Sequence, residues 1–555
     1  MQKSSTNPKD PAGRPQYLKI LLYAIAAYLI AMMIFRPKAQ DRTPKAPPSL
    51  PAREPKRVLS PFSTPSLSGN FNTVGLRVDD VSLLRYRETM DQDSKNVELL
   101  KYAPAAGGAK EKSSYLEFGL IGREEEAYLF PSANTEWKTI EKTQSSIILS
   151  WTNREGVEFV RRMSFDDGYM LTVTQDIKNR SKEPLYFYPY ARAVAAYDAM
   201  SKPGSAHTGF IGYLNGRLEE HTYRDIQKKN QEFVSEGGWL GFGSAYFMIA
   251  LIPETSGENF TARAQEIPQP AKPAGGRDWR QFQADYVRDA VEVEPGGARS
   301  ITSRIYIGAK EPELIAKYEK EFSIPKFDLA IDYGFFYILS KPFTRALTFL
   351  SRFAGNFGWA IVLFTILIRI LLFPVAQKSF KSMEQIKKLQ PEMKRIQTIY
   401  AHDKQRMNME LAMLYKARNV NPLSGCMPLL MQLPVLIALY KSLVISIEMR
   451  HAPWLLWVAD LSAPDPTDMF NLFGLLPYTP WGWLPRVGLL PVIMGLTMYA
   501  QQAMQPAAGA DPNQARMMRF LPLLFTLMLA GLPSGLVLYW TVNNILSIIQ
   551  QKFVK

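Results

Sequence analysis

The sequence predicts a multispanning α-helical membrane protein of six spans that carries one large all-β domain. Three observations predict it. Long apolar runs lie at residues 17–35 and again beyond 357, with a long polar stretch between them. Short alternating or β-branched runs recur through that stretch. The loops beyond 357 alternate in charge as basic, acidic and basic. The charged fraction of 21% is that of an ordinary folded chain, so general disorder is excluded. Cys426 is the one cysteine, which excludes an intrachain disulfide and a cysteine-rich metal cluster. The β domain is therefore expected to be stable by core burial alone.

Residues 1–16 form a polar tail with Lys3, Lys9 and Arg14. The run Tyr17–Phe35 (residues 17–35) is read as an uncleaved first span. A cleaved signal peptide is the rival, but Arg36-Pro37-Lys38 is no small-residue cleavage site. Residues 36–58 carry many prolines and read as an extended tether. Residues 59–324 form the β domain, read as a sandwich, with runs at Ser145–Trp151, Val157–Phe165, Tyr169–Ile177, Leu185–Tyr190, Tyr246–Ile252 and Ile301–Ile307. Asp166-Asp167-Gly168 and Asn179-Arg180-Ser181 punctuate them as turns. No repeat is visible. In residues 325–356, Phe343, Leu347, Leu350 and Ala354 follow helical spacing among Lys341, Arg345 and Arg352. This is the pattern of a helix lying in the membrane interface; a core helix of the β domain is the alternative.

The second span covers 357–377, the third 422–447 and the fourth 487–504. Residues 518–552 are too long for one span, and Gly531-Leu532-Pro533-Ser534-Gly535 divides them into a fifth span, 518–532, and a sixth within 533–555. The fourth and fifth are short, which implies a locally thinned bilayer. Loop 378–421 holds ten basic and four acidic residues. Loop 448–486 has Arg450 and Arg486 against Glu448, Asp460, Asp465 and Asp468. The next loop, 505–517 with the residues just after it, has Arg516 and Arg519 against Asp511. Positive-inside topology then puts 378–421 and both chain ends in the cytoplasm and the β domain on the external side. The net charge of +14 is thus largely topological.

Loop 378–421 has few aromatic residues and offers no stacking platform for nucleic acid. Its apolar residues Ile386, Leu389, Met393 and Ile396, then Met407, Leu411 and Leu414, predict an antiparallel helical hairpin. Lys387, Lys388, Lys394, Arg395, Lys404 and Arg406 make it a candidate docking surface for a ribosome or signal-recognition component. The plainer alternative is a solvated hairpin that only sets topology.

Arg369 is the decisive residue. It lies deep in the second span, in WAIVLFTILIRILLFPVA. A central arginine costs about 2.5–3.5 kcal/mol even on insertion scales, and it stays charged. No acidic residue lies inside any predicted span. The polar residues there are neutral: Thr365 on the same face, Gln432 in the third span, and Thr541, Asn543 and Asn544 in the last. An arginine among neutral polar groups implies a hydrated cavity, with snorkelling to the near interface as the rival. Pro374, Pro428, Pro434 and Pro522 free backbone carbonyls that suit a cavity lining. Lys441 lies near the external end of its span, where snorkelling suffices.

Asn421–Tyr440 (NPLSGCMPLLMQLPVLIALY) and Leu532–Gln551 (LPSGLVLYWTVNNILSIIQQ), with an arginine in the second span, resemble the YidC/Oxa/Alb family of membrane protein insertases. The whole chain resembles its Gram-negative form. That resemblance implies a periplasmic β-supersandwich, an interfacial helix and a five-span insertase core in a bacterial inner membrane. It implies a substrate groove of Arg369, Thr365, Gln432, Tyr539, Trp540 and Asn544, and a slide along Cys426, Pro428, Leu433 and Pro434. Trp540 departs from the tyrosine expected at its position, which leaves an aromatic contact but no hydroxyl. The implied function is insertion and folding of nascent membrane proteins, alone or with the Sec translocon, in contact with membrane lipids. No catalytic residue, cofactor or metal is expected: Gly107-Gly108-Ala109-Lys110 lacks P-loop spacing, and the four histidines are scattered. A secondary transporter and a sugar-binding envelope protein are the alternatives; intramembrane carboxylates and a repeat between halves, which a transporter would favour, are missing.

Overall fold

Alternation along Val157–Phe165 shows how the β domain forms. Val157, Phe159, Arg161, Met163 and Phe165 are buried, while the residues between them are not. This period of two suits a strand with one face on a core. The following strand, Met170–Asn179, pairs with it antiparallel through Leu171↔Phe165 to Asn179↔Val157. The turn between them is built by Asp166, whose Oδ1 accepts from the amides of Gly168 and Met170 at 3.0 and 2.9 Å. A computed structural model describes residues 57–75, 77–103, 113–198, 206–254, 259–268, 279–418, 427–476, 486–504 and 512–553. The expected tail, first span and nearly all of the tether fall outside these residues, as does Cys426.

Nine strands form the larger antiparallel sheet. Their spatial order is Arg217–Thr222, Gly209–Leu214, Gly238–Gly243, Phe247–Pro253, Ala298–Ala309, Met170–Asn179, Val157–Phe165, Ser146–Thr152 and Lys138–Lys142. A seven-stranded sheet orders Gln231–Glu236, Asn259–Ile267, Trp279–Arg288, Leu185–Asp198, Tyr115–Ile121 and Arg77–Val78, with Val291–Val293 beside Leu185–Phe187. Strands Leu59–Ser63, Leu67–Asn72, Val81–Arg87 and Asn96–Leu100 make a four-stranded sheet. Phe282, Ala284 and Tyr286 of the seven-stranded sheet are buried in one core with Ile305 and Ile307 of the nine-stranded sheet. The Tyr286 hydroxyl meets Ser303 Oγ between the sheets at 2.8 Å. The opposite face of the seven-stranded sheet carries a ladder of alternating charge.

That ladder runs Arg263, Asp285, Arg192, Glu117, Arg77, one residue from each of five neighbouring strands, every step being a cross-strand register pair. Arg263 Nη2 lies 2.8 Å from Asp285 Oδ1, Arg192 Nη2 lies 2.7 Å from Glu117 Oε2, and Arg77 Nε lies 3.1 Å from the same oxygen. Gln283 fills the middle, donating to Asp285 Oδ2 at 2.6 Å and accepting from Arg192 at 3.4 Å. Buried charges persist only when paired and hydrogen-bonded in this way.

Among the described residues two α-helices belong to the β domain, α1 (Tyr223–Lys228) and α2 (Pro312–Glu321). Helix α3 (Tyr337–Ala354) buries Phe343 and Leu347. Its other face leaves Ile338, Phe349 and Phe353 exposed. Gly355 stops α3 with a φ of +67°, and Asn356 starts the next helix by accepting from Gly358 and Trp359 amides. That helix, α4, runs unbroken from Phe357 to Lys388. No glycine or proline interrupts 375–388, so the helix runs on without a break past the 377/378 boundary expected between span and hairpin. Helix α5 (Gln390–Ile399) restarts with Pro391 near its N-terminus, and α6 (Lys404–Ala417) is capped by Asp403, which accepts from the Arg406 amide at 2.9 Å. Ile386, Leu389, Met393 and Leu411 form one small core, with Ile396, Met407 and Leu414 packed on it.

The remaining helices are α7 (Met427–Ile445), α8 (Leu489–Ala503), α9 (Pro512–Leu529) and α10 (Ser534–Phe553). Helix α9 begins before the expected residue 518, because Pro512 can occupy a first turn. A second core joins Leu347 of α3, Phe364 of α4, Leu439 of α7, Met494 of α8 and Leu538 of α10. Among the described residues, α4 alone is long and apolar enough to cross a membrane by itself; Gln432–Ile445 and Phe520–Leu529 are shorter apolar helical stretches.

Candidate functional site

Three helices meet around Arg369. The arginine projects from α4 with three hydrogen bonds to α10. Its Nε donates to Asn543 Oδ1 at 2.8 Å, and its Nη2 donates to the Asn543 carbonyl at 3.0 Å and to the Ser547 hydroxyl. Gln432 of α7 donates to the Tyr539 hydroxyl and, at 3.4 Å, to Asn543 Oδ1. A polar track therefore runs from α7 through α10 to α4, inside helices that are otherwise apolar. Each of these acceptors is neutral, so the guanidinium keeps its full positive charge. Its Nη1 has no partner among the described residues.

The other expected site residues are placed differently. Thr365, one turn before Arg369, is buried and bonds back to the Ile361 carbonyl at 2.6 Å. Asn544 faces α8, donating to Thr497 Oγ1 at 3.2 Å. Tyr539 is buried, and Trp540 packs against Phe525 of α9 with ring centroids 5.6 Å apart. On α7, Pro428 is the second residue, Leu433 is half exposed and Pro434 lies inside the helix. Sequence reasoning missed Ser547, and it counted Asn543 among the neutral groups without assigning it to the arginine. Their spacing of four residues puts both on one face of the last helix, a signal that would have found them.

Comparison with known proteins gives matches over most of the chain. The family profile described as "YidC periplasmic domain" matches residues 60–346, and that described as "60Kd inner membrane protein" matches 349–555. The membrane protein insertase YidC of Rickettsia canadensis (strain McKiel) is 40% identical over 495 residues, which is 88% of this chain and 86% of that protein. The chain belongs to the YidC family of membrane protein insertases. The YidC insertase of Rickettsia felis is 39% identical over the same shares. A crystal structure of an active YidC insertase with its first transmembrane domain resolved aligns over 96% of this chain and 98% of that one, at 17% identity and a TM-score of 0.36.

As a YidC-family protein, the chain is an inner-membrane insertase with a periplasmic β-sheet domain and a C-terminal helical insertase region. Nascent membrane proteins are its substrates. The two matched regions meet inside α3. Around that joint, Asp332 ties the periplasmic side to α7: its Oδ2 lies 2.7 Å from Lys441 Nζ and accepts from the His207 amide at 3.1 Å. Lys441 also packs across Gly334, whose φ is +69°. Burial raises the Asp332 carboxyl, but the Lys441 and His207 hydrogen bonds and neighbouring lysine charges outweigh it and hold it below the usual carboxylate value. Nearby Lys310 is pushed down to about 8 by burial, against the pull of Asp332 and Glu220.

Proposed function

We propose that this YidC-family insertase works through a hydrated groove whose positive pole is Arg369. One observation carries the reading: the arginine is fixed by neutral groups, so its charge is uncancelled. An acidic or polar tail entering from the cytoplasm is attracted to it, in surroundings where Coulomb energies exceed those in water. The apolar part of the client then partitions into lipid along α7 and α10, gaining about 25 cal/mol per Å² of apolar surface removed from water. Gln432, Tyr539 and Trp540 border the path, with Thr365 and Asn544 holding the walls, and Cys426, Pro428, Leu433 and Pro434 mark the slide.

In this reading the chain has six spans, both termini are cytoplasmic, and the two large sheets form a supersandwich. Helix α3 lies in the external interface, supported by its exposed Ile338, Phe349 and Phe353. The hairpin docks ribosome or signal-recognition components through Lys387, Lys388, Lys394, Arg395, Lys404 and Arg406, all exposed, and the protein acts alone or beside the Sec translocon. Photocrosslinkers placed at Gln432 and Trp540 during translation of a single-span client test the groove. Adducts to the nascent chain are expected from both positions, and their absence would sink the reading.

A further inference from the structure

A cleft of about 430 Å³ opens where the β domain meets the turn after α7. Its walls come from strand Val81–Arg87, the start of α2, the last turn of α3 and the turn Ile447–Met449. Three carboxylates line it, Glu311, Glu313 and Glu448, of which Glu313 is exposed at the edge and the other two are only partly exposed. Glu311 accepts from the Tyr86 and Tyr169 hydroxyls at 3.0 and 2.8 Å. Glu448 accepts from Thr348 at 3.2 Å and from Ser446 at 2.9 Å. All four donors are neutral, and neither Glu311 nor Glu448 is in an ion pair with a described residue. Burial and the Glu311 charge hold both tyrosines well above the usual phenol range, so they remain donors.

The rim is net positive, with Arg85, Lys317 and Arg352 against Glu313. Arg352 pairs with Glu313 at 2.8 Å, but both side chains are 63% exposed. Such a surface pair is worth at most about 1 kcal/mol and exchanges readily for another anion. An anionic interior under a cationic rim fits a zwitterion with its amine inward and its phosphate outward. Location narrows the class. The turn Ile447–Met449 follows α7 directly, and α3 turns Phe349 and Phe353 away from the protein core. A primary ammonium brings three N–H donors for two carboxylates, whereas a quaternary choline brings none. Arginine and lysine at the rim match a phosphate.

We propose that this cleft binds the phosphoethanolamine headgroup of a phospholipid in the external leaflet, with the ammonium between Glu311 and Glu448 and the phosphate on Arg85, Lys317 and Arg352. The proposal rests on α3 lying in that interface, and its test separates the two. The full chain is reconstituted in bilayers of equal phosphatidylethanolamine, phosphatidylcholine and phosphatidylglycerol, and lipids retained on release are counted by native mass spectrometry. Phosphatidylethanolamine is expected to be enriched several-fold over the other two. Glu448→Gln is expected to abolish the enrichment, and Thr348→Val, which leaves the charge, to keep it. Arg352→Gln, at an exposed site where folding is not at stake, is expected to weaken it. A fluorophore on Phe353→Cys, quenched by brominated lipid, reports α3 independently. Soluble glycerophosphoethanolamine is expected to compete, marking the headgroup rather than the acyl chains as the part recognised. Retention in proportion to the bulk with the fluorophore quenched overturns the cleft alone. An unquenched fluorophore overturns the interfacial placement, and the proposal with it.

Discussion

Arg369 commits Nε and Nη2 to α10, and in the proposed groove Nη1 is the nitrogen left for a client. A lysine there retains the charge but has one nitrogen, without the fixed fork. We expect Arg369→Ala to lower insertion of single-span clients with acidic tails roughly tenfold, a loss of ~1.4 kcal/mol, and Arg369→Lys to retain most activity, measured by protease protection of the tail. Equal failure of both would assign the role to the fork. Glu117 gives a pH test. Burial pushes its carboxyl up, yet the Arg192 and Arg77 guanidiniums outweigh burial and hold it below the ordinary glutamate value. A depressed folded value means that its stabilisation is present above the unfolded pKa and disappears as pH falls through the folded one. Glu117→Gln should therefore cost about 3–5 kcal/mol at neutral pH, since it strands buried arginines, and the gap from the parent protein should close in acid, as read by denaturant melts. Lys310 has the reverse consequence. Its folded value of about 8 lies below the ordinary 10.5, so the unfolded chain binds more protons between them and stability rises with pH across that window. Lys310→Met should raise the melting temperature at pH 7 and flatten that rise.

At the scale of elements, the latch between Asp332 and Lys441 joins the periplasmic side to α7 by a half-buried ion pair. Asp332→Ala and Lys441→Ala should each loosen the β domain from the helices, seen as faster proteolysis near residues 325–336, and the double variant should cost less than the sum. Six of the twenty strands among the described residues were legible in the sequence, those whose burial is most one-sided or most apolar. Val157–Phe165 begins and ends where its alternation does, because one face is buried and the other is not. The expected Leu185–Tyr190 is only the first part of a strand that continues through Ala191–Asp198, where small alanines carry little pattern. The hairpin stripes were legible for the same reason as the strands, their burial being one-sided. The continuous α4 was not, because a change from apolar to basic composition marks a membrane boundary without breaking a helix. In the polar track, Arg369 and Gln432 stand out as polar residues in apolar runs. Their partner Ser547 does not, because a serine in a helix is common and only the three-dimensional neighbour gives it a role.

For the whole molecule, the polar track around Arg369 joins α4, α7 and α10, and among the described residues none of its hydrogen bonds involves the β domain. A chain lacking residues 60–320 is therefore expected to keep inserting clients in cells depleted of the parent protein, although its helices should be less stable without the packing of Ile445 and Ile447 against the β domain core. Equal loss of insertion by this deletion and by Arg369→Ala would place the working part in the periplasm instead. The charged ladder has a further consequence, for the order in which this domain is completed as it crosses the membrane N-terminus first. Arg77, Glu117 and Arg192 emerge early and can pair at once. Arg263 then arrives with no partner until Asp285 follows, on a strand that must slot between two already delivered. Asp285 thus acts as a closing keystone, and until it appears the sheet keeps an open edge at Leu185–Asp198. Asp285→Asn should prolong that half-built stage, visible as persistent protease sensitivity during export, even where the finished domain is recovered.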